Sequence, residues 1–409
     1  MDEIRQKIRV AFDFPVHFTT GVFAAHNPIL ASLITSDPGR GPADVLAVID
    51  DGVTRAHAGI TDAVARYQAA HAHVFRLAGS VLVIPGGEAC KTGTDTLDVV
   101  GRAIHQAALC RHSYVVAVGG GAMLDVVGYA AAIAHRGVRL IRVPTTVLAQ
   151  DDSAVGVKNG INAFGVKNYL GTFAPPYAVI NDAAFLTTLL DRDWLGGVSE
   201  AVKAALIRDA PFFDELERLA PAIVARDAAA MDVVVRRSAA LHLAHIAQGG
   251  DPFETGSSRP LDFGHWAAHK LEQLTSHRLR HGEAVAIGIA LDTTYACLVG
   301  LLSERDWHRI TDLLIALRLA VYVPELGAHL DLPEHERSVL RGLEEFREHL
   351  GGQLTILLLR SIGQPVEVHE IDRSVMIRAI DVLRRIEDAR LTGAAMAPVL
   401  AAALSGGAR

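Results

Sequence analysis

Short β-branched runs alternating with Ala-rich helical stretches, from the N-terminus to about residue 180, constrain this chain more than any other feature. Asp44 to Ile49, Val81 to Ile84, Tyr114 to Val118, Arg139 to Val143 and Ala178 to Ile180, with a short candidate at Val16 to Phe18, end near Gly, Pro, Asp or Asn and read as strands. Between them, Thr92 to Cys110 and Ala122 to His135 have helical spacing. Strand, helix, strand implies a mostly parallel sheet covered on both faces, a doubly wound, Rossmann-like α/β domain. From about Asp182 helical segments dominate: Val198 to Arg208, Asp227 to Gln248, His265 to Leu274, Glu283 to Leu298, Glu304 to Leu317 and Ser374 to Ala389. In the last, Val375, Ala379, Val382 and Ile386 form one apolar stripe. The pattern predicts an α/β domain over residues 1–185 and an all-α domain over 186–409, each long enough for its own core.

Composition excludes several classes. Half the residues are hydrophobic and 21% are charged, which a disordered chain does not show. A net charge of −7 offers no basic footprint for nucleic acid. Cys90, Cys110 and Cys297 are far apart and form no CxxC pair, which suits a reducing cytoplasm and argues against a thiolate zinc site. The N-terminal residues lack the apolar core of a signal peptide. The longest apolar reach, Tyr114 to Ala134, is broken by Gly119 to Gly121 and by Asp125, so it reads as a buried strand and helix and not as a membrane span. The expectation is a cytoplasmic protein that binds neither nucleic acid nor membrane.

Three stretches carry chemistry. Tyr114 to Val118, the glycines Gly119, Gly120 and Gly121, and the following helix let backbone N–H groups approach a pyrophosphate, although neither a GxGxxG pattern nor a Walker lysine is present. A tight turn in any doubly wound fold has the same form. Asp50, at the end of an earlier strand, is placed where a ribose hydroxyl could be bound, although strand-end aspartates are also ordinary turn formers. Val143 to Pro176 concentrates polar groups between glycines and reads as a binding loop, with a solvated surface loop as the alternative. In Arg259-Pro-Leu-Asp-Phe-Gly-His265-Trp-Ala-Ala-His269, two histidines share one helix face, and His281 follows beyond a loop. Imidazoles joined by one carboxylate can hold Zn²⁺ with a position left open; by spacing alone, a histidine pair in a chain with 19 His is more often a surface pair.

In order along the chain, Gly119-Gly120-Gly121 with Asp125, Val-Pro-Thr145-Thr146, Asp152-Ser-Ala-Val-Gly-Val-Lys158, Lys167-Asn168, Gly197-Val-Ser-Glu200-Ala-Val-Lys203, Asp262-Phe-Gly-His265-x3-His269 and His281-Gly-Glu283 resemble the motif series of the sugar phosphate cyclases, the 3-dehydroquinate synthase-like family. The resemblance runs from about Asp50 to Gly363. It implies a metal, zinc or alternatively cobalt, held by Glu200, His265 and His281. It implies NAD⁺ bound by Asp50, Glu88, Lys91, Gly119, Gly120, Gly121, Asp125, Thr145, Thr146, Lys167 and Thr188. It assigns substrate or catalytic contacts to Asp152, Lys158, Asn168, Lys203, Glu254, Asp262 and His269, and it implies a homodimer in which Arg136 reaches the neighbouring site. The implied reaction is transient oxidation by NAD⁺, loss of phosphate, return of the hydride and intramolecular aldol closure, with no net redox.

Departures from the 3-dehydroquinate synthase pattern bear on the substrate. Asp262 stands where that enzyme usually has Asn, Ser258 where it has Arg (Arg259 is displaced by one), and Glu345-Phe-Arg347-Glu348 replaces its paired lysines. Less positive charge makes a substrate carboxylate unwelcome. Arg-Pro-Leu-Asp262-Phe-Gly-His and Glu-Phe-Arg347-Glu-His-Leu-Gly-Gly are similar to the branch that cyclises sedoheptulose 7-phosphate to valiolone-type cyclitols, and His269 points to its 2-epi-valiolone synthase type or to the related dehydroquinate-synthase-like proteins of secondary-metabolite clusters. The alternatives are a 3-dehydroquinate synthase acting on its acidic sugar phosphate and a metal-dependent polyol or glycerol dehydrogenase with net redox.

Overall fold

The computed structural model describes residues 3–8, 10–35, 41–249, 253, 260–349 and 351–392. Glu254, Ser258 and Arg259 lie outside the described residues. The chain forms two compact units, one of residues 1–145 and 156–188, the other of 146–155 and 189–409.

Among the described residues, the first unit has nine strands: β1 (Val16–Thr19), β2 (Ala43–Asp50), β3 (Phe75–Leu77), β4 (Leu82–Ile84), β5 (Tyr114–Gly119), β6 (Arg139–Pro144), β7 (Lys158–Ala163), β8 (Val166–Phe173) and β9 (Ala178–Asp182). The main sheet runs β1-β9-β6-β5-β2-β3, with β4 also on β2, and every pairing is parallel. All six residues of β5 are buried, and so is the run Val45 to Ile49 of β2. That burial explains the continuous apolar runs, since a parallel strand covered on both faces has no polar side to alternate with. The register pairs Gly119 with Pro144 and Asp50 with Ile84, so the cofactor-type residues gather at the C-terminal ends of neighbouring strands.

The polar stretch 143–176 is more ordered than a loop. β7 and β8 form an antiparallel hairpin in which Gly160 faces Gly171. A Cβ on Gly171 would stand 2.4 Å from Asn159 O, so the two backbones approach where side chains do not fit. The guanidinium of Arg142 on β6 is buried and donates to Gly156 O at 2.8 Å, to Lys158 O at 3.2 Å and to Asn159 Oδ1 at 2.6 Å, tying the start of the hairpin to the sheet.

The second unit is helical, with an antiparallel hairpin, β10 (Ile356–Ser361) and β11 (Gln364–Val368), that helical periodicity did not contain. Its partition also differs from a single cut at residue 185. Thr146 caps the Val147–Asp151 helix, accepting from Ala149 N at 3.2 Å. That helix packs on the Asp191–Gly196, Val198–Arg208 and Ala228–Gln248 helices, so residues 146–155 belong with the helical unit. A Cβ on Gly197 would stand 2.5 Å from Leu148 N, which shows how close the packing is. Among the described residues, no helix is long and apolar enough to cross a membrane.

Candidate metal centre and cofactor turn

Glu200 and Lys203 lie on the Val198–Arg208 helix, which is buried apart from its last residue. With side-chain exposures of 1% and 3%, the two charges are tolerable only as partners, and Lys203 Nζ lies 2.5 Å from Glu200 Oε2. Neither oxygen of Glu200 has a well-directed hydrogen bond among the described residues, so the ammonium partners it by charge. Oε1 faces two imidazoles, His281 Nε2 at 3.4 Å and His265 Nε2 at 3.7 Å.

Two glycine contacts between distant segments bring these groups together. A Cβ on Gly282 would stand 2.0 Å from Gly196 O, and one on Gly288 would stand 1.9 Å from Gly264 O. The His281–Leu298 helix therefore lies directly against the backbone that precedes Glu200 and against the turn that presents His265. Buried Asp292 holds that turn as well, accepting from Gly264 N at 3.1 Å and from Trp266 Nε1 at 2.8 Å.

The protonation states suit a metal. His265 Nδ1 lies 3.0 Å from Phe263 O; a carbonyl only accepts, so Nδ1 carries the hydrogen and Nε2 keeps its lone pair. Burial, followed by the charges of Lys203, His281 and His269, holds the imidazole well below its ordinary value and hence neutral. Burial pushes Glu200 up, but Lys203 and His281 outweigh it and hold the carboxyl down at about 2. Glu200, His265 and His281 each offer one ligand atom, all within 4.8 Å of one another. One carboxylate, whose Oε1 faces both rings, and two imidazoles fit a divalent ion with a position left open.

Around this triangle, Asp152 Oδ1 accepts from His242 Nδ1 at 2.9 Å and lies 3.9 Å from Lys203 Nζ. Burial raises the Asp152 carboxyl, but Lys203 holds it below the usual range despite the opposing charge of Glu200. Burial likewise works against the Lys203 ammonium, and Glu200 and Asp152, with Asp262 adding to them, hold it above its usual value. Asp262 ends the 3₁₀ turn Pro260–Asp262 and is half-buried. His269 Nδ1 faces Glu272, 3.2 Å from its Oε2. His242 and Glu272 were not singled out in the sequence. Glu272 had a signal, because it continues the face of His265 and His269 at position i+7; His242 is 90 residues from Asp152 and had none.

Asp151 is a further buried carboxyl of this unit, in addition to Asp292 and Glu272. It has no exposure, and neither oxygen finds a hydrogen-bond partner among the described residues. Burial first, then the charges of Asp152 and Glu200, push it well above the usual carboxylate value. A carboxyl whose pKa is raised on folding leaves stability intact below its unfolded value near 4 and lowers it as pH rises toward the folded value. Asp151→Asn is therefore expected to raise the Tm of the metal-free protein by at least about 2 °C at pH 8 and by much less at pH 4. Equal shifts in melting scans at the two pH values would count against this origin.

The cofactor-type residues of the first unit form a connected set. Asp50 Oδ1 caps the Asp51–Ala56 helix through Gly52 N at 2.7 Å. A Cβ on Gly86 would stand 2.2 Å from both Asp50 oxygens, and one on Gly119 would stand 2.9 Å from Asp50 Cβ, so glycine keeps this corner open. Gly120 precedes the Gly121–Ile133 helix, and Thr145 N donates to Gly119 O at 3.0 Å. Buried Lys91 donates to Asp125 Oδ2 at 2.7 Å and to Asn168 Oδ1 at 2.5 Å. Burial pulls its ammonium down, but Asp125 and Glu88 outweigh that and keep it charged. Asn162 links the rest, donating to Glu88 Oε1 at 2.9 Å and accepting from Asn168 N at 2.8 Å. Glu88, Lys91, Asp125 and Asn168 thus stand together. Thr188 is exposed and hydrogen-bonds His57 Nε2 at 2.9 Å, while Thr146 acts as a helix cap in the other unit. Lys158 and Lys167 sit on β7 and β8, Lys158 exposed and Lys167 half-buried. Arg136 is exposed beyond the far end of the Gly121–Ile133 helix, whose 13 residues span about 20 Å.

Comparison with known proteins places this arrangement. The 3-dehydroquinate synthase N-terminal family model matches residues 81–195, and the C-terminal model matches 197–335. A 3-dehydroquinate synthase of Ruegeria pomeroyi is 37% identical over 302 residues, covering 73% of this chain and 80% of that protein. One of Geobacter sp. (strain M21) is 40% identical over 261 residues, 63% and 71% of the two chains. The structure of ValA, a 2-epi-5-epi-valiolone synthase from Streptomyces hygroscopicus subsp. jinggangensis 5008 with NAD⁺ and Zn²⁺ bound, has a TM-score of 0.82 and 30% identity and covers 93% of this chain and 99% of its own. A 2-deoxy-scyllo-inosose synthase structure, at a TM-score of 0.71 and 22% identity over 90% and 96% of the chains, shares the fold. With two consecutive family models over residues 81–195 and 197–335, the chain belongs to the 3-dehydroquinate synthase family and is a sugar phosphate cyclase, a phosphate-eliminating carbon–oxygen lyase.

Proposed function

We propose that the protein cyclises sedoheptulose 7-phosphate to a valiolone-type cyclitol of the 2-epi-valiolone kind, using NAD⁺ and a zinc ion, with cobalt as a workable substitute. When bound, the metal supplies Lewis acidity toward vicinal sugar oxygens and NAD⁺ supplies a reversible hydride acceptor. Glu200, His265 and His281 would hold the ion. Asp50, Glu88, Lys91, the 119–121 turn, Asp125, Thr145, Thr146, Lys167 and Thr188 would hold the dinucleotide. Lys203, kept charged by its carboxylate neighbours, offsets negative charge that develops on the substrate. Lys158 and Asn168 belong with phosphate and hydroxyl recognition, Asp152 with orientation of the sugar through its fixed hydrogen bond to His242, and His269 with proton transfer. Glu254 is retained in the substrate set from the resemblance alone. The position of Arg136, at the opposite end of its helix from the cofactor turn, supports its assignment to a neighbouring subunit's site in a homodimer.

The observation that carries the neutral-substrate reading is the charge near Asp262. Its carboxylate joins those already acting on Lys203, and Arg347, the nearest replacement for a missing cation in sequence, donates to Glu344 at 2.8 Å. The second reading, a 3-dehydroquinate synthase, is favoured by relatives of that name at 37 to 40% identity. Incubation with a panel of sugar phosphates, with phosphate release followed and the product identified by NMR, decides between them; a stoichiometric rise in NADH would instead indicate a dehydrogenase.

Cofactor choice gives a separate check. Asp50 can accept from a ribose 2′-hydroxyl and repels a 2′-phosphate. Calorimetry is expected to show NAD⁺ binding at least about tenfold more tightly than NADP⁺, and Asp50→Asn to narrow that gap. Preference for NADP⁺ would remove Asp50 from the site.

A further inference from the structure

Glu272 lies outside the ligand set and the substrate set, yet it is one of the most buried carboxylates of the helical unit, with 4% side-chain exposure. It stands seven residues beyond His265 on the His265–Leu274 helix, and the same oxygen, Oε2, meets two imidazoles. His269 Nδ1 is 3.2 Å away and His281 Nδ1 is 3.3 Å away. The two rings stack, with centroids 5.7 Å apart and planes 18° from parallel. His265 completes the group at 5.3 Å from His281 and 5.4 Å from His269.

We infer that Glu272 is a positioning residue that sets the tautomers of His281 and His269 together. A carboxylate accepts and does not donate, so both Nδ1 atoms carry their hydrogens and both Nε2 atoms keep a lone pair. For His281 this aims the bare Nε2 at Glu200 Oε1, where it lies at 3.4 Å. For His269 it leaves Nε2 as an acceptor, the form in which an imidazole removes a proton. One buried oxygen thereby couples a metal ligand to a base. The same three residues also lie close enough to ligate a cation themselves, and that competing arrangement makes a different prediction. A metal there would take the two Nδ1 atoms, displace both hydrogens and give a second ion per chain.

This inference rests on the proposed metal reading but not on the identity of the sugar, and its test separates the two. Glu272→Gln keeps shape while removing charge and one acceptor site. Competition with a chromophoric chelator is expected to show zinc held about 10- to 100-fold more weakly in Glu272→Gln, with Glu272→Asp recovering part of the loss. The metal-free proteins are expected to melt together, since a purely structural role would lower the metal-free Tm and leave metal affinity nearly unchanged. Nitrogen-15 NMR of the zinc-loaded wild-type enzyme, which does not depend on the variant folding, is expected to show protonated Nδ1 on both His269 and His281. Two zinc ions per chain, Nδ1 of either ring found unprotonated, or a Glu272→Gln affinity within threefold of wild type overturns the inference. Loss of zinc in Glu200→Gln shows that the metal site itself exists, so its retention there would refute the metal reading separately.

Discussion

His265→Ala is expected to leave the protein folded but without metal after dialysis against a chelator, with turnover lower by at least about a thousandfold. The side chain is buried, its Nδ1 is committed to Phe263 O, and its Nε2 is one of two imidazole nitrogens facing Glu200 Oε1. Removing it leaves one imidazole and one carboxylate, and that carboxylate already has Lys203 beside it. Lewis-acid stabilisation of developing charge contributes several kcal/mol, and about 4 kcal/mol corresponds to roughly a thousandfold in rate. Elemental analysis gives the metal content, and circular dichroism shows whether the fold survives. Full metal content in the variant would mean that the ligands are other residues. Truncating a buried imidazole also leaves a cavity, so a small loss of Tm is expected alongside.

The second large effect concerns substrate choice. Sedoheptulose 7-phosphate is expected to be turned over with phosphate release and no net NADH, and the carboxylate-bearing substrate of 3-dehydroquinate synthase to be turned over little. A site that desolvates a carboxylate needs a fixed cation, and lacking one costs about 2 to 5 kcal/mol, roughly thirtyfold to several thousandfold. Here Lys203 is already shared among Glu200, Asp152 and Asp262, and Arg347 is held by Glu344. Lys270 is paired as well, with Glu345 at 2.6 Å. Asp262→Asn should move the ratio of kcat/KM values toward the acidic substrate by about tenfold or more. Comparable specificity constants in the wild-type enzyme would show that the charge exchange does not govern selection.

Local periodicity was enough for much of the architecture. The helices expected at Val198 to Arg208 and at His265 to Leu274 have those bounds, and each main strand read from a β-branched run is present within a residue or two. The strand–glycine–helix order at Gly119 is likewise present as read, because a strand, a tight turn and a helix start are each decided by neighbours in sequence. Phe75–Leu77 was missed, being too short to show a period, and so was the Ala210–Val224 helix, which contains two prolines.

What the tertiary structure alone decided is which polar groups meet. By spacing, His265 and His269 are the pair; in the fold His265 and His281 face Glu200, while His269 turns to Glu272. Residues 146–155 belong with the helices, Asp152 finds His242, and Asp151 is buried with no hydrogen-bond partner among the described residues. None of these has a local signature. They follow from close approaches such as Gly282 on Gly196 and Gly288 on Gly264, in which the absence of a side chain lets segments far apart in sequence come into backbone contact. Periodicity shows which face of an element is buried, but the partner of that face depends on long-range packing that no window of sequence contains.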